Sequence, residues 1–164
     1  MWFPWLKTEL EKTGNLVWLP TIPGFTEPDL KTSLPFLIDS KKINSESVVI
    51  CHSSSCPVML SFLERVDIVI RQLVLVAPYF PMPGKKENSW QDKYDLEKIK
   101  THIKEVVFVV SDNDPWGCTQ NLVQPYFNVL GGTLVTIKGG GHFGSNTYKS
   151  PLYEFPLLLK LIDK

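Results

Sequence analysis

Three residue types that can perform nucleophilic chemistry occur in short loops of this chain: a serine at Ser53, an aspartate at Asp114 and a histidine at His142. A serine hydroxyl attacks a carbonyl carbon when a histidine accepts its proton and a carboxylate orients that histidine. Each of the three follows a short apolar run with the composition of a buried strand. They therefore predict acyl transfer, provided that the fold brings them together.

The loop around Ser53 has the sequence of a modified nucleophile elbow. Residues 51–55 read C-H-S-S-S where the motif is G-x-S-x-G, so small residues replace both glycines. A strand is predicted before this turn and a helix after it, which is the context that the motif requires. The alternative is an ordinary loop in which a serine caps the helix, and for this loop taken alone that alternative is the simpler one.

The other two loops supply the acid and the base. Asp114 precedes Pro115 in the loop after residues 106–110, and Asp112 in the same loop is a competing acid. His142 follows three glycines, which allow the backbone to approach a site closely. An Asp-Pro turn or a surface histidine would explain either loop alone. However, Ser, Asp and His in this chain order, each just past a different predicted strand, match the order found in α/β-hydrolases.

Helices and strands alternate along the chain, and this alternation predicts how the loops are positioned. The predicted helices are 3–13, 28–42, 54–65, 95–104, 120–130 and 151–163, and the predicted strands are 16–19, 47–51, 73–77, 106–110 and 133–137. This pattern predicts one α/β domain over residues 1–164, with a parallel sheet of about five strands and helices on both faces. In such sheets ligands bind beyond the carboxyl ends of the strands.

The charge composition indicates which kinds of binding partner to expect. Seventeen Lys and Arg residues balance seventeen Asp and Glu residues. This balance predicts no nucleic-acid or membrane partner and favours a small molecule or another protein. The three cysteines form no C-x-x-C pair, and the N-terminus lacks the pattern of a signal peptide. We therefore expect a soluble, cytoplasmic protein.

Nearly the whole chain resembles the small serine hydrolases related to retinoblastoma-binding protein nine, within the α/β-hydrolase superfamily. Residues 49–55 (V-I-C-H-S-S-S) resemble the family's G-H-S-S-G elbow, and residues 141–143 resemble its G-H-F segment. Residues 111–115 resemble its D-P segment, and residues 2–12 look like its first helix. The resemblance selects Asp114, immediately before Pro115, over Asp112.

The resemblance implies a hydrolase of small ester-type or amide-type substrates that needs no metal or organic cofactor. Ser53 would be the nucleophile, His142 the base, and Asp114 the group that orients His142. The backbone amide of Ser54 would stabilise the oxyanion, together with a second amide from the loop after the family's first strand.

The chain departs from the family pattern at its start. Family members have a strand and a glycine-rich loop before the first helix, whereas this chain begins at that helix. The absent strand would lie between residues 16–19 and residues 47–51. We therefore favour a hydrolase whose natural start lies upstream of Met1. A catalytically impaired relative that binds another protein is the main alternative, and an unrelated binding domain is the third.

Two further histidines have simpler predicted roles. His52 adjoins Ser53 but is expected to point away from it and to serve in packing. His102 lies on the charged helix and is expected to be solvated.

Overall fold

A computed structural model describes residues 1–23, 29–80, 91–144 and 151–162. Helices and strands alternate through these residues. The helices are α1 (Phe3–Lys12), α2 (Leu30–Ser40), α3 (Ser55–Arg65), α4 (Leu96–Thr101), α5 (Gln120–Leu130) and α6 (Pro156–Leu161), and the strands are β1 (Val48–His52), β2 (Ile70–Val76), β3 (Ile103–Ser111) and β4 (Thr133–Ile137).

The four strands form one parallel sheet in the order β1-β2-β3-β4. The predicted α/β class and the parallel sheet are therefore confirmed. Because all four strands run the same way, their carboxyl ends meet at one edge of the sheet. The loops that follow β1, β3 and β4 begin at this edge, and these are the loops that carry the predicted site residues.

Apolar residues cover both faces of the sheet. Along β2, Leu73 and Leu75 pack in one core cluster with side chains of α2 to α5, while Val74 and Val76 pack in a second cluster with α1 and α6. This alternation follows from the two-residue period of a strand. A strand buried on both faces reads as a continuous apolar run, which is why β2 and β3 were recognisable in the sequence.

The prediction of a strand at residues 16–19 is wrong. This segment forms no strand, and the Leu16 side chain is fully exposed. A strand requires a hydrogen-bonded neighbour. In the described part of the chain, β1 is an edge strand whose one bonded neighbour is β2. The described sheet therefore has four strands where the sequence predicted about five.

Several predicted boundaries also differ from the structure, and residues 103–104, which were predicted as the end of a helix, are the start of β3. β2 begins three residues earlier than predicted, since Ile70 already pairs with Ile103 of β3, and the polar side chain of Gln72 is buried, where its amide donates to the carbonyl of Leu161 at 2.8 Å. The last helix begins at Pro156 and not at residue 151, since proline favours the first helical position and the residue before it is pushed out of the helical region. The predicted helix start at Pro28 and helix end at Asp163 lie outside the described residues.

The expectation that His102 is solvated is also wrong. α4 ends at Thr101, so His102 caps this helix just before β3 and is buried, with 8% of its surface exposed. Its Nδ1–H donates to the carbonyl of Leu63 at 2.8 Å. None of the described helices is long and apolar enough to cross a membrane.

Candidate active site

The three predicted triad residues lie together at the carboxyl edge of the sheet. Ser53 directly follows β1, Asp114 lies three positions after the end of β3, and His142 lies five positions after the end of β4. The separation in sequence between Ser53 and His142 is 89 residues, yet their side chains are in hydrogen-bond contact. The parallel sheet is therefore what assembles this site.

Ser53 occupies a tight turn between β1 and α3. Its φ angle is +54°, a left-handed conformation that is uncommon for residues other than glycine and often marks a functional turn. Its N–H donates to the carbonyl of Val76 at 3.0 Å, and its own carbonyl accepts from the N–H of Cys56 at 3.1 Å. These bonds fix the serine backbone against β2 and the start of α3.

Ser55 replaces the second glycine of the elbow motif and stabilises the turn through its side chain. Its hydroxyl accepts the backbone N–H of His52 and donates to the backbone carbonyl of His52, both at 2.8 Å. Sequence reasoning treated Ser55 only as a small residue that the turn tolerates. The structure shows that the side chain satisfies two backbone groups that a glycine would leave to other partners.

His142 links the other two predicted residues. Its Nδ1 lies 2.7 Å from Oδ2 of Asp114, and its Nε2 lies 2.9 Å from Oγ of Ser53. A carboxylate can only accept, so Nδ1 carries the proton and Nε2 is free to accept from the Ser53 hydroxyl. This arrangement can transfer the serine proton to the imidazole while the carboxylate holds the ring.

Both oxygens of Asp114 are used, which fixes the orientation of its carboxylate. Oδ2 accepts from His142, and Oδ1 accepts the backbone N–H of Trp116 at 2.8 Å. The competing acid Asp112 is exposed, and its Oδ1 accepts the N–H of Gly139 at 2.7 Å. The structure therefore brings Asp114, and not Asp112, to the histidine ring.

Several contacts hold the histidine loop, and sequence reasoning did not find them. Asn113 Oδ1 accepts the N–H of Gly141 at 2.8 Å. Trp2 Nε1–H donates to the carbonyl of Phe143 at 2.9 Å, and His52 Nε2–H donates to the carbonyl of His142 at 2.8 Å. These bonds join residues far apart in sequence, so no local pattern could have indicated them. They hold a glycine-rich loop in one conformation.

His52 is a buried neutral histidine. Its pKa is lowered from 6.5 to about 4, chiefly by burial; the bond to the His142 carbonyl and the charge of Asp114 oppose this shift, and the neighbouring His142 ring adds to it. Because Nε2 carries the proton that the carbonyl accepts, this nitrogen cannot also accept one. This agrees with the expectation that His52 does not transfer the serine proton.

Ser54 lies at the N-terminal end of α3, immediately after Ser53. The first amides of a helix have no partner within the helix, and the helix dipole favours negative charge at this end. An oxyanion forming beside Ser53 would therefore meet a favourable potential at Ser54.

Asp114, Cys118 and His142 also offer metal-binding atoms, all within 4.8 Å of one another. A cysteine binds a metal as a thiolate. Burial, and secondly the charge of Asp114, raise the pKa of Cys118, so its thiol stays protonated. The short bond between Nδ1 and Oδ2 already uses one ligand atom of each of the other two residues. These side chains therefore fit a proton-transfer site better than a metal site.

A family model described as serine hydrolase matches residues 1–162 of this chain. Among curated proteins, "Putative hydrolase YdeN" from Bacillus subtilis (strain 168) is 26% identical over 151 aligned positions, and the alignment covers 87% of this chain and 77% of that protein.

Two solved structures have similar folds. The crystal structure of the ydeN gene product from B. subtilis superposes with a TM-score of 0.81 at 24% identity, covering 98% of this chain and 87% of that one. A predicted CIB-like hydrolase from Thermoplasma acidophilum gives a TM-score of 0.52 at 19% identity, covering 75% of this chain and 55% of that one. At these identities the structural likeness concerns the fold alone.

Proposed function

This chain belongs to the serine hydrolase family, and on that premise we propose that it hydrolyses ester-type or amide-type substrates through Ser53, His142 and Asp114. The single observation that carries the proposal is the continuous hydrogen-bonded series from Ser53 Oγ through the His142 ring to the Asp114 carboxylate. Family membership supports the reaction class, and this geometry supports the choice of residues.

In the first half of the reaction, Ser53 Oγ attacks the carbonyl carbon of the substrate while Nε2 of His142 accepts the hydroxyl proton. A bond forms between Oγ and carbon, and the carbonyl electrons move to its oxygen. The N–H of Ser54, at the start of α3, would stabilise this oxyanion. Nε2 then returns its proton to the leaving group as the bond to that group breaks, which leaves an acyl-enzyme.

In the second half, water attacks the acyl carbon. His142 accepts a proton from the water and returns it to Ser53 Oγ as the acyl group leaves as a carboxylic acid. Throughout the cycle Asp114 keeps the proton on Nδ1, so that Nε2 alternates between acceptor and donor. Each turnover consumes one water and regenerates the free Ser53 hydroxyl.

The serine that replaces the second elbow glycine does not favour the alternative, a protein that binds a partner without catalysis. Ser55 stands where the motif has a glycine, yet its hydroxyl bonds to both backbone groups of His52 and so supports the turn. A cytoplasmic location also belongs to this proposal, and it is supported by three buried cysteines that are all free thiols.

The proposal is tested by hydrolysis of short-chain p-nitrophenyl esters, present in excess over the protein, in the pre-steady state and the steady state. The wild-type protein should release a burst of p-nitrophenol close to one equivalent, followed by slower turnover. Ser53→Ala should abolish the burst and lower turnover by at least about 1000-fold. Ser45→Ala, which changes an exposed serine far from the site, serves as the matched control. Equal hydrolysis by the wild type and Ser53→Ala would contradict the proposal.

A further inference from the structure

We propose that His52 is a positioning residue that couples the nucleophile to the base by holding the backbone of His142 in reach of Ser53. This inference rests on the proposed function, since it concerns the same serine and histidine. It goes beyond the packing role expected for His52, because it assigns a specific bond to the alignment of the two reacting side chains.

Covalent and hydrogen bonds connect His52, Ser53 and His142 in a closed ring. His52 and Ser53 are joined by a peptide bond. His52 Nε2–H donates to the carbonyl of His142 at 2.8 Å, and the ring of His142 returns to Ser53 Oγ at 2.9 Å. The distance between Ser53 Oγ and His142 Nε2 therefore depends on the bond from His52, as well as on the loops that follow β3 and β4.

His52 itself is held firmly enough to act as an anchor. The Ser55 hydroxyl bonds to both of its backbone groups, and its backbone continues β1 in register with Val76. Trp2 and Phe3 lie edge-on to its ring, with centroids 6.1 Å away in each case. The side chain that reaches His142 thus extends from a backbone and a packing environment that restrict its movement.

The other contacts of the histidine loop do not replace this bond. Asp112 and Asn113 bind the amides of Gly139 and Gly141, which precede the histidine, and Trp2 binds the carbonyl that follows it. Among the bonds identified for the described loop, the His52 bond is the one made to the carbonyl of His142 itself. The glycines before the histidine tolerate a wide range of backbone angles, so the loop depends on its hydrogen bonds for a defined conformation. Loss of the His52 bond should therefore let the imidazole move relative to Ser53.

A displacement of about 1 Å in a catalytic group can lower a rate by about 100-fold. We therefore expect His52→Leu to lower kcat by about 100-fold while KM changes by less than about threefold, since His52 is buried and acts through His142. His52→Gln should restore most of kcat, because the glutamine amide places an N–H at the distance of Nε2. His52→Asn should not, because its shorter amide does not reach the carbonyl.

His102 provides a matched control. It is buried to the same degree as His52 and donates one bond of 2.8 Å to a backbone carbonyl, but that carbonyl belongs to Leu63, away from the site. His102→Leu should lower thermal stability about as much as His52→Leu while leaving kcat within about twofold of wild type.

The experiment measures kcat, KM and melting temperature for the wild type, Ser53→Ala and these four variants with a p-nitrophenyl ester. It also records the one-dimensional proton NMR signal of the His142 Nδ1–H that is bonded to Asp114. The expected result is a loss of kcat and a shifted or broadened signal in His52→Leu and His52→Asn, but not in His52→Gln or His102→Leu. If His52→Leu does not fold, the difference in kcat between His52→Gln and His52→Asn tests the proposal.

Unchanged kcat in a folded His52→Leu or His52→Asn would overturn the inference. An equal loss of kcat in His102→Leu, or a Gln variant as inactive as the Asn variant, would also overturn it. If the wild type shows no hydrolysis that depends on Ser53, the proposed function fails. The NMR signal then still reports whether His52 positions His142.

Discussion

Asp114 and His142 form a buried pair in which Oδ2 lies 2.7 Å from Nδ1, with 0% and 7% of the respective side chains exposed. A buried carboxylate is costly unless its oxygens accept hydrogen bonds. Here one oxygen accepts from the histidine ring and the other from the backbone of Trp116. This pair therefore determines which nitrogen of His142 faces Ser53.

Asp114→Asn should lower kcat by about 10,000-fold, as expected when the histidine is held in the wrong tautomer. The asparagine oxygen would keep accepting from Trp116, so its NH₂ group would face Nδ1. Nδ1 would then have to accept, and Nε2 would carry the proton and could no longer accept from Ser53. Asp112→Asn, which keeps an oxygen for Gly139, should retain at least half of the activity. Steady-state ester hydrolysis measures both variants, and an Asp114→Asn variant within tenfold of wild type would contradict this role.

The stability of the protein should fall in acid because of His52. Its pKa is lowered from 6.5 to about 4 by burial, so the unfolded chain binds a proton there more readily than the folded chain. The resulting stabilisation is complete above about pH 6.5 and is lost as the pH falls towards 4, with a total of about 3 kcal/mol. The two ionisable neighbours have opposite effects on the pKa of His52: His142 lowers it and Asp114 raises it.

Urea unfolding of the wild type and His52→Gln between pH 4 and pH 7 measures this effect. The free energy of unfolding of the wild type should fall more steeply than that of the variant, which has no titrating group at this position. Parallel curves for the two proteins would show that His52 contributes nothing to the pH dependence.

Gly132 permits the close approach of the loop before β4 to β3. A Cβ atom at this position would lie 2.0 Å from the backbone oxygen of Val106, whereas a Cβ at Gly131 meets no atom within 4 Å. Both glycines have positive φ angles, of +91° and +74°, so alanine is strained at either one. Gly132→Ala should therefore destabilise the protein by at least about 2 kcal/mol more than Gly131→Ala. Thermal unfolding measures the difference, and equal destabilisation would refute the steric argument.

The triad residues could be proposed from the sequence because each lies just beyond an apolar strand, and β1, β3 and β4 lie close to their predicted positions. The choice of Asp114 over Asp112 needed the family resemblance, since both acids share one loop. The narrower likeness to retinoblastoma-binding protein nine remains a prediction. The catalytic roles of Ser53, Asp114, His142 and Ser54 also remain predictions, now with a defined geometry for the first three.

What the sequence did not predict depends on contacts between distant residues. Local apolar composition favoured a strand at residues 16–19, but pairing requires a neighbour, and the exposed Leu16 has none within the described sheet. Polar residues such as Gln72 and His102 are buried because carbonyls of other elements accept their hydrogen bonds. The sequence around a residue does not reveal these distant hydrogen-bond partners.

The three cysteine thiols should be unreactive in the folded protein. Cys51, Cys56 and Cys118 are buried, and burial raises the pKa of each thiol. Because the thiolate is the reactive form, Ellman's reagent at pH 8 should modify none of them in native protein and all three in guanidinium chloride. Rapid modification of a native thiol would show that its surroundings open readily.

Labelling with a fluorophosphonate probe tests the central claim most directly, because only an activated serine reacts with it. The folded wild-type protein should be labelled at Ser53, as located by peptide mass spectrometry, and the control His102→Ala should be labelled at a comparable rate. Ser53→Ala and His142→Ala should lose the label. A folded wild-type protein that is not labelled, or labelling that survives Ser53→Ala, would contradict the account.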